Sequence, residues 1–184
     1  MRRLTLLLIA AFVMLCAGCG SGNTASGGPC GAVPEFAYSE DLARNLDERL
    51  SPYLQGATGE FTLEATSQEL TSWLTYTAIK WPALPLRDAA VWFSPEHIHF
   101  SGVVSRILPF SVAVQLQARV WLDGKTPQLA VEEACLGRFA LPSWARRMAE
   151  RIANETIIDS GPYVRLDVLV IRDGEMYAIG RLGR

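Results

Sequence analysis

Two histidines and two lysines are all that 184 residues contain. Histidine occurs only in "PEHIHF", so any chemistry that needs an imidazole must use His97 or His99. Two apart on a strand, they share a face, and a metal could bridge them. Ile98, Phe100 and Val104 take the opposite, core-type face, however, and neither Glu96 nor a nearby motif supplies a third ligand. A solvated pair is expected there, and no metal site. The chain lacks a Gly-x-Ser-x-Gly turn, and Ser94 and Ser101 lie near His97 without an orienting acid at informative spacing. Adjacent Glu132 and Glu133 would point to opposite sides of a strand, which suits no two-carboxylate mechanism. Beyond residue 34 there is no phosphate loop, no Gly-x-Gly-x-x-Gly and no Cys-x-x-Cys, so no cofactor is called for and no catalytic signature is found.

Positive charge is thin as well. The formal net charge is −2, and without Arg2 and Arg3 fifteen basic residues face nineteen acidic ones, a formal −4. A mildly acidic chain with no basic run is not expected to bind nucleic acid. Arg138, Arg146, Arg147 and Arg151 gather around Trp144. They read either as a patch for anionic lipid headgroups, with Trp144 at the interface, or as a solvated helix face over a core tryptophan.

What is present begins at the N-terminus. Residues 1–18 read as a lipoprotein signal peptide. Arg2 and Arg3 precede the apolar "LTLLLIAAFVMLCAG", which is too short to span a bilayer comfortably. Its end, "LCAGCGSG", resembles the bacterial lipobox. Ala17 and Gly18 precede Cys19, the expected site of diacylglyceryl attachment, while Cys16 stands where leucine is usual. An ordinary signal peptide or a short anchor helix is the other reading. Residues 19–34 form a Gly/Ser-rich tether, and residues 35–184 a single domain of about 150 residues, enough for one core. Acyl chains contribute about 0.8 kcal/mol per buried methylene. The expected location is therefore a cell membrane, lipid-anchored on the extracytoplasmic side. With Cys16 removed and Cys19 lipidated, Cys30 and Cys135 remain, and outside the cytoplasm they are candidates for a disulfide. Two unpaired thiols, with Cys135 a small core residue, is the alternative.

Within the domain, Leu42, Leu46, Leu50 and Leu54 define an amphipathic helix behind Ser39, with Pro52 expected to bend or end it. "EFTLEA" is a short strand. Thr66 and Glu69 form a capping box before a second helix with Leu70, Trp73, Leu74 and Thr77 on one face. "LRDAAVWF" and "HIHFSGVVS" read as a hairpin. In "FSVAVQLQARVWLDGK" every second residue from Phe110 to Leu122 is apolar, the mark of a half-buried antiparallel strand roughly 43 Å long. It turns at "DGK" and returns as "PQLAVEEACLGRFALP". By register Glu133 falls on the face of Leu129, Val131, Cys135 and Phe139, at a rim or in a polar spot, unless a bulge turns it outward. A helix over 142–157 with Trp144, Met148 and Ile152 on one face follows, and "YVRLDVLVI" and "EMYAIGRLG" close the chain as a hairpin. This order predicts an α+β fold: a long, curved antiparallel sheet of meander hairpins packed against about three helices in an elongated single domain.

The segments "TLEATSQELTSWL", "VWFSPEHIHFSG", "GRFALPSWARRMAERI" and "VLVIRDGEMYAIGR" resemble the YpmS-like and LmeA-like bacterial membrane-anchored families, over about residues 60–184. The resemblance implies a curved antiparallel sheet around helices, presenting an apolar groove for lipid, and no active-site residues. Here a lipid anchor would replace the usual N-terminal membrane helix.

The expected function is thus an exported, lipid-anchored envelope protein that binds a lipid or other apolar ligand in a groove of the long sheet. The residues expected to line it are Phe110, Val112, Val114, Leu116, Val120, Leu129, Val131, Phe139, Val168 and Val170, with Trp73 and Trp144 near a mouth. The alternative is a structural or scaffolding lipoprotein that binds another envelope protein and has no small-molecule ligand. A third reading, an envelope hydrolase on His97 and His99, needs a cleft holding both with an acid.

Overall fold

Helix α1 (Glu40–Leu54) starts where the sequence supplies a cap. Ser39 accepts a hydrogen bond from the Leu42 N–H at 3.4 Å, and Glu40 and Asp41 sit in the first turn, where the helix dipole favours negative charge. The computed structural model describes residues 31–55, 57–78, 86–104, 111–159 and 164–183. Strand β1 (Gly59–Thr66) runs directly into α2 (Ser67–Ala78). The capping box forms there: the Thr66 N–H donates to Glu69 Oε2 at 2.9 Å, and the Glu69 N–H donates to Thr66 Oγ1 at 3.1 Å. The chain continues as β2 (Leu86–Ser94), β3 (His97–Val104), β4 (Val112–Asp123), β5 (Thr126–Leu136), β6 (Phe139–Ala140), α3 (Ser143–Asp159), β7 (Val164–Arg172) and β8 (Glu175–Leu182).

This is an α+β fold with antiparallel pairing throughout, but the strands form two sheets. One has five strands in the order β2-β3-β4-β5-β6, the other three in the order β1-β8-β7. Turn peptides staple them together. The Glu96 N–H, in the β2–β3 turn, donates to Ile171 O at 3.3 Å, and the Leu166 N–H donates to Lys125 O, in the β4–β5 turn, at 2.8 Å. The Gly174 N–H donates to Phe93 O, while Gly174 O accepts from the Ser67 N–H at the start of α2. Around this corner Val91, Phe93 and Ile171 are buried. Leu70 and Leu74 of α2, Ile98, Phe100 and Val120 of the larger sheet, and Leu169 and Met176 of the smaller one pack against them.

Two departures from strict alternation reshape β5. Gln117 pairs with Glu133 but Ala118 with Val131, so a bulge at Glu132 turns the exposed Glu133 onto the polar face. The returning strand also does not continue to residue 141. Gly137, at φ +58, turns the chain, and β6 folds back so that Leu136 pairs with Phe139 and Cys135 with Ala140. A left-handed backbone is cheap for glycine and costly for a residue with a Cβ.

Helices seal β2 at one edge of the larger sheet and, on the other side, the length of β5 that the two-residue β6 does not pair. Thr71 Oγ1 donates to Val91 O at 2.8 Å and accepts from the Val91 N–H at 2.9 Å, and Ser67 Oγ accepts from the Phe93 N–H at 3.0 Å. On the far edge, Asn154 Oδ1 accepts from the Leu129 N–H at 3.0 Å and its Nδ2 donates to Leu129 O at 2.9 Å. Glu150 Oε2 accepts from the Val131 N–H at 3.2 Å, and Arg146 donates to Glu132 O. The spacing permits this: four helical residues rise about 6.0 Å and two strand residues about 6.7 Å.

Thr71 is fully buried. Thr71→Val keeps its volume and orphans the N–H and C=O of Val91. The expected cost is about 2 kcal/mol, seen as a lower urea midpoint at unchanged slope. An unchanged midpoint would show that the edge does not need its hydroxyl partner.

Candidate functional site

Alternation gives the larger sheet one apolar and one polar face. On the apolar face the register lines up Gly102, Val114, Leu136 and Phe139 across four strands, with the rows Phe100–Leu116–Ala134 and Val104–Val112 on either side. Val112, Val114, Leu116 and Leu136 are half-buried, and Phe139 is 61% exposed. Among the described residues α2 packs on β2 and α3 on β5, whereas the main neighbours of β4 are β3, β5 and β7. An apolar strip therefore runs from Val112 to Phe139, away from the packed corner.

The residues expected to line one groove divide into several groups. Val112, Val114 and Leu116 lie on the strip, and Phe139 ends it, on β6 beyond the Gly137 turn rather than on β5 itself. Val120 packs into the corner core, Val131 is buried, and Leu129 is half-buried with its backbone held by Asn154. Trp73 is on α2, where its Nε1–H donates to Asp47 Oδ1 of α1 at 2.8 Å, so it belongs to the helix pair. Trp144 is 50% exposed in the first turn of α3, not a core residue. Val168 and Val170 are on the smaller sheet, on the face opposite Leu169 and Ile171, which pack in the core. The intervening β7 bulge between Leu166 and Val168 sets that phase. Phe110 lies outside the described residues, as do Cys19 and Cys30.

The polar face carries the row Trp92–His99–Gln117–Glu133. The Trp92 and His99 rings stack at 5.0 Å and 6°, and Ser94 Oγ is 2.7 Å from His99 Nε2. The bulge brings Glu132 Oε2 to 3.0 Å from His97 Nε2, while His97 Nδ1 lies 2.7 Å from Pro95 O. The histidines thus have an acid and a serine beside them, but on separate rings. Catalytic relay needs serine and acid on the same imidazole, and here Ser94 meets His99 while Glu132 meets His97. Among the described residues no group of three or more His, Cys, Asp or Glu could hold a metal ion.

Phe36 approaches Trp92 with ring centroids 6.5 Å apart, and the Ser39 N–H donates to Ser72 Oγ. Cys135 faces the same side through its pairing with Gln115. It is 1% exposed and disulfide-bonded.

Several working residues carry only a faint sequence signal. Ser67 and Thr71, and likewise Arg146, Glu150 and Asn154, repeat every four residues on faces that an amphipathic reading would make apolar. The approach of Glu132 to His97 depends on the bulge and has no sequence mark. No helix of the described residues is long and apolar enough to cross a membrane. Compared with models of known protein families, with curated proteins and with solved structures, the chain matches none.

Burial of the ring, and then the charge of His97, push the His99 imidazole below its ordinary value, with Glu133 opposing. The folded protein thus favours neutral His99. Its contribution to stability is complete above about pH 6.5 and is lost as pH falls, because the unfolded chain takes up the proton first. In thermal melts between pH 7.5 and 5, His99→Gln should lose less stability on acidification than the parent. Equal slopes would contradict this.

Proposed function

We propose that this chain is an exported, lipid-anchored envelope protein that takes an acyl chain or other apolar ligand on the strip formed by Val112, Val114, Leu116, Leu136 and Phe139. The observation that carries the reading is the half-buried state of this strip and its end in a 61%-exposed phenylalanine, on a sheet whose other apolar half is packed. Exposed apolar surface organised in a line on one face marks an interaction site more often than scattered residues do. The "LCAGCGSG" segment, with Cys19 as the acylated residue, supports the anchor, and a disulfide suits an extracytoplasmic protein. No enzymatic activity is proposed, since the Ser94, His99, His97 and Glu132 contacts do not form a relay.

A second reading, docking to another envelope protein, is favoured by one specific feature. The outer face of the smaller sheet presents Val168 and Tyr177, 36% and 37% exposed, beside Val170 and Ile179.

Native mass spectrometry of the full chain, with lipid extraction, separates these readings. The strip predicts a stoichiometric co-purifying lipid that Val114→Glu or Leu116→Glu releases and Val168→Glu retains. A parent protein that stays free of lipid even when lipid is offered would remove the ligand reading and leave the partner reading.

A further inference from the structure

From the placement of its aromatic and arginine side chains we infer that the β5–β6 turn and the first two turns of α3 form a docking surface for an anionic lipid bilayer, onto which the apolar strip opens. Phe139 and Trp144 are among the most exposed large apolar side chains of the described residues. They stand five positions apart, with Arg138 in the turn just before Phe139. On α3, Trp144, Arg147 and Arg151 are spaced i, i+3, i+7 and so share one side of the helix. Arg146, Glu150 and Asn154 occupy a different stripe, the one turned to the β5 backbone. The helix thus divides its labour: one side seals the sheet, and the first turns of the other are solvated and cationic around a tryptophan, with exposed Glu155 one turn beyond Arg151.

Charge selects the partner. Arg44, Arg49, Arg119, Arg172 and Arg181 each pair with a carboxylate, whereas among the described residues Arg138, Arg147 and Arg151 pair with none. Arg87 on β2 and Arg165 on β7 also lack a carboxylate partner, but neither lies in this turn or on this helix. Residues 134–151 contain four arginines and one acid, Glu150, which is turned to the Val131 N–H, in a chain whose net charge is negative. Unpaired guanidinium groups around exposed tryptophan and phenylalanine match the headgroup region of an anionic leaflet, where arginine meets phosphate and the rings enter the interface. A protein partner would more often require the arginines to meet matched carboxylates.

The docking face rests on this aromatic and charge pattern and not on the anchored reading proposed above. With this face down, Phe139 lies at the membrane surface and at the end of the strip, so a lipid could pass between bilayer and sheet without crossing water.

The test uses the full chain mixed with vesicles of phosphatidylcholine alone or with phosphatidylglycerol, some containing brominated lipid. Flotation reads attachment, and tryptophan quenching reads the face. The chain has five tryptophans, so the Trp144 signal is the part lost in Trp144→Phe. The expected result is bromine quenching on phosphatidylglycerol vesicles that disappears in Trp144→Phe. It should weaken as ionic strength rises, and most of it should be lost in Arg147→Glu/Arg151→Glu, which changes only exposed side chains. Flotation with anionic vesicles alone, together with Trp144 quenching, would uphold the docking face and remove the anchor. Flotation with both vesicles but no Trp144 quenching would overturn the docking face and leave the anchor standing, assigning the patch to a protein. Absence of flotation would overturn both.

Discussion

The five-stranded open sheet leaves unpaired N–H and C=O groups along β2 and along the part of β5 that β6 does not cover, and much else in this molecule is arranged around how those groups are satisfied. At β2, the hydroxyls of Ser67 and Thr71 take the place of a neighbouring strand. At β5, the side chains of Arg146, Glu150 and Asn154 do so, with Asn154 both donating to and accepting from Leu129. A helix that donates side chains to a strand edge lies beside the sheet as much as above it. The two helices are thereby committed to the flanks, and among the described residues the main neighbours of β4 are β3, β5 and β7. The strip from Val112 to Phe139 follows from that placement.

The corner where the two sheets meet supplies the apolar core, and it does so with turns. Glu96, Lys125 and Gly174 each contribute a backbone hydrogen bond between elements distant in sequence. Arg119 and Glu96 at 2.7 Å and Lys125 and Asp167 at 2.5 Å add exposed ion pairs around the same corner. Exposed pairs contribute little each, so the burial of Phe93, Val91 and Ile171 holds the corner, and the charges fix its geometry. The polar face, with Trp92 stacked on His99, is where Phe36 approaches the sheet.

Local signals were legible in the sequence wherever the chain specified them locally. Ser39 as a cap, the Thr66–Glu69 box, the period-two run of β4 and the hairpin turns all appear with their expected residues. What escaped was set by the tertiary structure. One extra residue at Glu132 exchanges the faces of Glu133 and Cys135, and one left-handed glycine at 137 turns a long strand into a strand and a short return. Periodicity also places Val168 correctly in a strand but says nothing about which sheet that strand joins. The division of the strands into two sheets accounts for most of the disagreement between the expected lining and the observed strip. The strip's membership was half readable, because β4 is regular, and half hidden, because Leu136 faces it only through the bulge at Glu132 and Phe139 joins it only through the Gly137 turn.

The most direct test of the account is photocrosslinking of the full chain with a phospholipid that carries a diazirine in its acyl chain, followed by peptide mapping. If the uncovered face of β4 and β5 is where an apolar guest sits, adducts should concentrate in residues 112–116 and 134–139. Adducts confined to the outer face of β7 and β8, or spread over the surface without preference, would contradict it.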